Sequence, residues 1–192
     1  GMMGLAAACA PPGAYSKDDA DRNDHGVAQM GRYEYENARA TFAAVVDSAP
    51  AWLDARVNLA IATLNRQREG DEALALTKLD AVLEEDSRHL RALYTSGLIH
   101  HYLGHTEQAI PLFEQVAAAD PNDAYAAYFL GQSLLQGGEY VRASEWLLRA
   151  VQLDPYLRSA YWAASQALRR TKRADEATRL LNDYQRFEPT PA

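Results

Sequence analysis

The chain of 192 residues contains little cysteine, few positive charges and no long apolar run. Its single cysteine, Cys9, cannot form an intramolecular disulfide bond, so the fold must be held together by packing. The 26 acidic residues outnumber the 19 lysines and arginines, which gives a net charge of -7. This balance argues against nucleic acid as a partner, because nucleic-acid binding needs a clustered basic surface. No apolar run reaches the roughly 18 residues that a membrane-spanning helix needs.

Sequence motifs of several common enzyme classes are also missing. The chain has no glycine-rich phosphate loop, no G-x-S-x-G nucleophile motif and no H-E-x-x-H zinc motif. Three histidines, His100, His101 and His105, form the candidate metal site, but no Asp, Glu or Cys lies at a recognised ligand spacing from them. We therefore expect no enzymatic activity, no metal and no other cofactor. A metal-binding helical enzyme that uses these histidines is the least favoured alternative.

The most informative feature of the sequence is an internal repeat of fixed length. Residues 90–123 align with residues 124–157 without a gap, and a third copy begins at Arg158 with Lys172 in place of a loop glycine. Two weaker copies come earlier, with a small insertion near residues 65–69. The alignment of the two best copies pairs Gly97 with Gly131, Gly104 with Gly138, Ala109 with Ala143, Phe113 with Leu147, and Pro121 with Pro155.

Each copy of the repeat has the pattern of a helical hairpin. Two apolar stripes with helical spacing flank a glycine, which can adopt the positive φ angle of a tight turn. A proline that a helix cannot continue through follows the second stripe. Small residues such as Gly97 and Gly131 lie where we expect the two helices to approach most closely. The sequence therefore predicts an all-α protein built from repeated hairpins.

This pattern resembles the tetratricopeptide repeat (TPR) family, whose repeat reads W-x2-L-G-x2-Y, then A-x3-F, then P. The chain departs from it at the tryptophan position, where Leu93, Ala127 and Tyr161 stand. The resemblance implies a right-handed α-α superhelix of TPR hairpins, with about ten helices in four to five repeats. It also implies one solenoid domain over residues 17–192, after a leader and tether in residues 1–16. An irregular helical bundle is the alternative.

The TPR resemblance further implies a concave groove lined by the first helix of each hairpin. The residues that it places in this groove are Val57, Asn58, Ile61, Arg91, Tyr94, Leu98, His101, Tyr125, Tyr128, Gln132, Trp162, Gln166 and Arg169. The aromatic side chains with polar tips in this set are typical of binding hot spots, so we expect a peptide with apolar anchors. The alternative is that these rings pack against neighbouring helices. TPR proteins that clamp a C-terminal carboxylate use lysines and asparagines, of which only Asn58 is present, so that ligand is not expected.

The N-terminal segment resembles the lipobox of bacterial lipoproteins. Leu5 and three alanines precede Cys9, and a segment with two prolines and then polar residues follows it, as in a membrane tether. No basic region precedes the apolar residues, which departs from the usual signal. The resemblance implies that Cys9 is lipidated and holds the protein on a membrane in the periplasm. The alternative is an alanine-rich leader on a cytoplasmic protein.

Taken together, these features predict a non-catalytic TPR adaptor that binds a peptide or a protein partner in its concave groove. The predicted role is the assembly of a bacterial envelope, pilus or secretion complex, and a homodimer is a further association to test. The alternative is a cytoplasmic TPR co-chaperone or regulatory module.

Overall fold

The computed structural model describes residues 15–185, which form ten α-helices and no strand. The helices are α1 (Lys17–Gly31), α2 (Tyr35–Ser48), α3 (Leu53–Asn65), α4 (Asp71–Glu85), α5 (Leu90–Tyr102), α6 (Thr106–Ala119), α7 (Ala124–Gln136), α8 (Tyr140–Leu153), α9 (Arg158–Arg170) and α10 (Ala174–Gln185). The all-α prediction and the expected number of helices are confirmed. Over the described range, no helix is both long enough and apolar enough to cross a membrane.

The chain divides into two compact units, residues 1–95 and 96–192, and the division falls inside α5. In the first unit, α1 to α4 pack in sequence, each against the next; in the second unit, α6 to α10 do the same. Such sequential packing is typical of stacked helical hairpins. The prediction of one domain over residues 17–192 stays a prediction. Cys9 and the rest of the predicted leader up to residue 14 lie outside the described residues.

The same close contact between the two helices of a hairpin occurs several times in the core. A glycine on the first helix faces a large buried side chain on the second helix, in the pairs Gly26 with Phe42, Gly97 with Phe113, and Gly131 with Leu147. A Cβ atom added at Gly131 would lie 2.6 Å from Leu147 Cγ and 3.1 Å from its backbone nitrogen. The expected close approach at Gly97 and Gly131 is therefore confirmed, because neither position has room for a side chain.

The turns inside the hairpins show the same period in their backbone angles. Gly70, Gly104 and Gly138 have φ angles of 85°, 77° and 83°, and Lys172 adopts the same left-handed conformation with a φ of 61°. These four positions follow one another at a constant interval, which is the period of the repeat. The positive φ expected at the loop glycine is confirmed, and the last copy takes this conformation without a glycine. Gln67, with a φ of 56°, adds a second left-handed residue in the turn where the sequence has its insertion.

The first helix begins at Lys17 because Ser16 and Asp19 cap it reciprocally. The Asp19 backbone N–H donates to Ser16 Oγ over 3.2 Å, and the Ser16 backbone N–H donates to the Asp19 carboxylate over 3.0 Å. The Ser48 hydroxyl of α2 donates to the same carboxylate over 2.6 Å. Hydrogen bonds from the Ser16 and Ser48 side chains lower the pKa of Asp19 to about 2. This carboxylate therefore joins α1 to α2 and stays ionised at neutral pH.

Candidate peptide-binding surface

In the first unit, the predicted groove residues form a hydrogen-bonded cluster. Asn58 Nδ2 donates to Asn23 Oδ1 over 2.8 Å, and Arg91 Nη2 donates to Asn58 Oδ1 over 2.6 Å. The other arm of the same guanidinium, Nη1, donates to Asp54 Oδ1 over 2.9 Å. The positive charge of Arg91 is thus already balanced by a carboxylate of the chain itself.

A buried histidine completes this cluster at the start of α5. His89 is 5% exposed, and its Nε2 lies 3.7 Å from Asp54 Oδ1. The Ala92 backbone N–H donates to His89 Nδ1 over 3.4 Å. A histidine directly before a helix is the signal that could have identified this N-terminal contact. Sequence reasoning overlooked it because the TPR pattern assigns no role to that position.

The remaining predicted groove residues of the first unit offer little free surface. Val57 is completely buried, and Ile61 and Tyr94 are half-buried. Val57 and the nearly buried Asn58 therefore lie beneath the surface and are not accessible to a partner. The first unit presents a closed polar cluster where the sequence predicted an open groove.

The second unit differs because its predicted aromatic residues reach solvent. Trp162 of α9 is 62% exposed and Tyr125 of α7 is 39% exposed. Tyr128 is half-buried: it packs against the apolar cluster that contains Leu157, and its hydroxyl accepts a hydrogen bond from Gln132 Nε2 over 2.7 Å. Tyr128 therefore packs partly against neighbouring helices, as the alternative for these rings predicted. Trp162 does not fit that alternative, because most of its surface is exposed.

Beside these rings lies a cavity of about 400 Å³ between α7 and α9. It is lined by His101, Gln132, Leu135, Gln136, Tyr140, Gln166 and Arg170. Three predicted groove residues, His101, Gln132 and Gln166, are thereby brought together. Leu98 is half-buried and Arg169 is exposed, and neither lines this cavity. Tyr140 and Arg170 were missed because the TPR pattern draws the groove from fixed positions of the first helices, and Tyr140 begins a second helix.

His101 is fixed in one tautomer by its neighbours. Its Nδ1 lies 3.0 Å from Ser133 Oγ, whose own proton is donated to the Phe129 carbonyl over 2.8 Å. Nδ1 must therefore carry the proton and donate it to Ser133. Burial lowers the pKa of His101, so the ring is neutral at pH 7. The cavity thus has a neutral imidazole on its α5 side.

The other two histidines of the sequence cluster lie close together. The Nδ1 atoms of His100 and His105 are 3.5 Å apart. Within residues 15–185, no three His, Cys, Asp or Glu side chains are arranged to hold a metal ion. The three histidines therefore do not share one site, since His101 bonds to Ser133 and not to its two neighbours.

Comparison with known families decides which kind of hairpin repeat this is. Residues 94–157 match the family model of the tetratricopeptide repeat. Residues 94–157 are therefore tetratricopeptide repeats. The resemblance found in the sequence is thereby confirmed. The TPR fold is typically that of a scaffold for protein interactions, so the predicted class of protein-interaction scaffold is confirmed.

Solved structures agree with this fold over most of the chain. MamA from Desulfovibrio magneticus RS-1 superposes with a TM-score of 0.80 at 22% identity, covering 91% of this chain and 99% of that chain. Another MamA structure has a TM-score of 0.75 at 18% identity, covering 91% of this chain and 97% of the other. At such low identity these similarities show the fold alone.

Curated relatives match a shorter stretch. The FK506-binding protein-like protein of Mus musculus is 40% identical over 68 residues, which is 35% of this chain and 20% of the relative. The protein of the same name from Homo sapiens is 38% identical over 68 residues. The chain spans about a fifth of the length of these relatives.

Proposed function

We propose that this TPR protein is a non-catalytic adaptor that binds an extended segment of a partner protein in its second unit. The segment lies on the surface formed by Tyr125 and Gln132 of α7 and by Trp162 and Gln166 of α9, which we call the α7–α9 face. The observation that carries the proposal is the exposed Trp162 on the same helical face as Gln166, which lines the 400 Å³ cavity. Residues four apart on a helix are neighbours on its surface. A large exposed ring next to a polar cavity is the arrangement of an interface anchor.

The chemistry of this face suits a peptide. Trp162 and Tyr125 can cover apolar side chains of the partner. The amides of Gln132, Gln136 and Gln166 can both donate to and accept from a peptide backbone, whose polar groups need partners once water is displaced. An extended segment would therefore find apolar anchors and hydrogen-bond partners on one face.

A photo-crosslinking experiment tests this proposal in the cells that make the protein. We expect a benzophenone amino acid placed at Tyr125 or at Trp162 to crosslink the same partner protein. The same group at Tyr33, which is 78% exposed in the first unit, serves as the control and should not capture that partner. A crosslink to a second copy of the chain would identify the homodimer. Identical products from all three positions would contradict the proposal.

We further propose that the adaptor serves the assembly of a bacterial envelope, pilus or secretion complex, held on the membrane in the periplasm by a lipid on Cys9. The support is the alanine-rich segment before Cys9 and the polar segment after it. The alternative is a cytoplasmic TPR co-chaperone or regulatory module. More than one acyl chain would be needed for stable attachment.

The lipid anchor predicts a specific mass for the protein made from its complete natural gene in its own host. We expect a chain that starts at Cys9, carries acyl groups and partitions into detergent. The Cys9→Ser variant should stay unmodified and partition into the aqueous phase. If the unsubstituted protein is also unmodified and aqueous, the anchor is wrong and the cytoplasmic alternative is favoured.

A further inference from the structure

One stretch of this acidic protein is strongly basic. Residues 158–173 contain four arginines, one lysine and no Asp or Glu, although the chain as a whole has a net charge of -7. Two of these cations have partners: Arg158 donates to the Tyr184 hydroxyl, and Arg173 pairs with Glu176 at 2.6 Å. Arg169, Arg170 and Lys172 are exposed, and no carboxylate of residues 15–185 forms an ion pair with them.

Arg170 lies at the edge of the α7–α9 face. Its Cζ lies 5.5 Å from the centroid of the Tyr140 ring, which holds the guanidinium by a cation–π contact. Arg170 is the only cationic side chain lining the 400 Å³ cavity, since His101 is neutral, and no carboxylate of the described chain lines it. Arg170 and Tyr140 also line a neighbouring cavity of about 510 Å³. The guanidinium therefore lies where a segment crossing this face would meet it.

The first unit shows how this chain treats an arginine that it pairs itself. Arg91 of α5 donates to Asp54 and to Asn58, both on α3. No equivalent acid lies beside Arg169 and Arg170, because neither α7 nor α9 contains Asp or Glu. The end of α9 thus leaves open a charge pairing that the first unit completes internally for Arg91.

We propose that Arg169 and Arg170 bind aspartate or glutamate side chains of the partner segment that lies on the α7–α9 face. This inference rests on the proposed function. Arginine binds a carboxylate through two parallel hydrogen bonds, which gives both attraction and a defined geometry. Three cations without an internal carboxylate suit one or two acidic side chains. They are too few for a long polyanion, which the remaining negative charge would repel.

The test is a selection of displayed random dodecapeptides, flanked by uncharged linkers, against the full chain. Three proteins are compared: the unsubstituted chain, the Arg169→Gln/Arg170→Gln variant, and the Lys17→Gln/Arg88→Gln variant. The last removes two exposed cations of the first unit and so matches the change in charge. We expect Asp and Glu to be enriched among peptides bound by the unsubstituted chain and by the control. This enrichment should disappear in the Arg169→Gln/Arg170→Gln variant, whose circular dichroism should be unchanged.

The strongest binder, synthesised with an amidated C-terminus, then gives the affinity. We expect the Arg169→Gln/Arg170→Gln variant to weaken Kd by about tenfold or more, which corresponds to about 1.4 kcal/mol. Added salt should weaken binding to the unsubstituted chain, and the control variant should bind like it.

Four results would overturn the inference. Enriched peptides without an excess of acids would contradict it while leaving the proposed function intact. Failure to enrich any peptide would contradict both. Binding of the same peptide as the free acid, but not as the amide, would assign the arginines to a C-terminal carboxylate. Binding to phosphatidylglycerol vesicles without selection of acidic peptides would assign them to a lipid surface.

Discussion

The Gly131→Ala variant is expected to lose about 2 kcal/mol of the free energy of unfolding, the balance of an overpacking cost and a gain in helix propensity. The added methyl group would lie 2.6 Å from Leu147 Cγ and 3.1 Å from the Leu147 backbone nitrogen, so α7 and α8 would have to separate. Overpacking of this kind costs about 3 kcal/mol, and the better helix propensity of alanine returns about 1 kcal/mol. Urea denaturation of the full chain, followed by circular dichroism, measures the difference.

Two further variants show whether the contact with Leu147 is the cause. Gly31→Ala is the matched control, because a Cβ added at the end of α1 would meet no atom within 4 Å apart from the adjoining backbone, and we expect its stability to change little. In a Leu147→Ala background, the Gly131→Ala change should cost less than half as much, because most of the clashing atoms are gone. An equal cost in both backgrounds would show that the close approach of the helices is not responsible.

The Tyr128→Ala/Trp162→Ala variant is expected to bind the crosslinked partner at least about 100-fold more weakly. Truncating a central aromatic residue of an interface often costs about 2 kcal/mol or more, and this variant removes two rings of the same face. We expect the loss of Trp162 to account for the larger part of the loss in binding free energy, because this ring is 62% exposed and available to a partner. Fluorescence anisotropy with the crosslinked segment measures Kd.

Stability must be separated from binding in this experiment, because Tyr128 also packs against the cluster around Leu157. Circular dichroism should show the helicity of the double variant unchanged. Trp162→Ala alone should weaken binding by about tenfold or more with no loss of stability. Tyr33→Ala, which removes an exposed ring of the first unit, should bind normally. Unchanged binding by Trp162→Ala and by the double variant would remove the α7–α9 face as the partner site.

The repeat made most of the fold predictable, because a fixed period records the same packing contact several times. Gly97 with Phe113 and Gly131 with Leu147 are copies of one helix contact, and Gly104 and Gly138 are copies of one turn. The sequence signal was weaker before residue 51, where α1 buries polar residues. Asn23 and Gln29 are buried there because Asn58 and Thr41 donate hydrogen bonds to them. Apolar periodicity cannot reveal a helix of this kind.

The candidate binding surface was predictable only in part. The repeat assigned His101, Gln132 and Gln166 to one face, and the structure places them around one cavity. It assigned Asn58 and Arg91 in the same way, and these two bond to Asn23 and Asp54 instead. The difference depends on which neighbours the stacked helices bring within reach, and a pattern of single helices does not contain that information.

The order of packing also determines where the second unit can open. Helix α10 packs against α9, so it can detach at the cost of that one interface while the helices before it stay folded. Helix α9, which carries Trp162 and Gln166, is held on its other side by α8. The partner surface is therefore one helix removed from the C-terminal end of the described chain. Transient opening of α10 would leave the recognition face assembled.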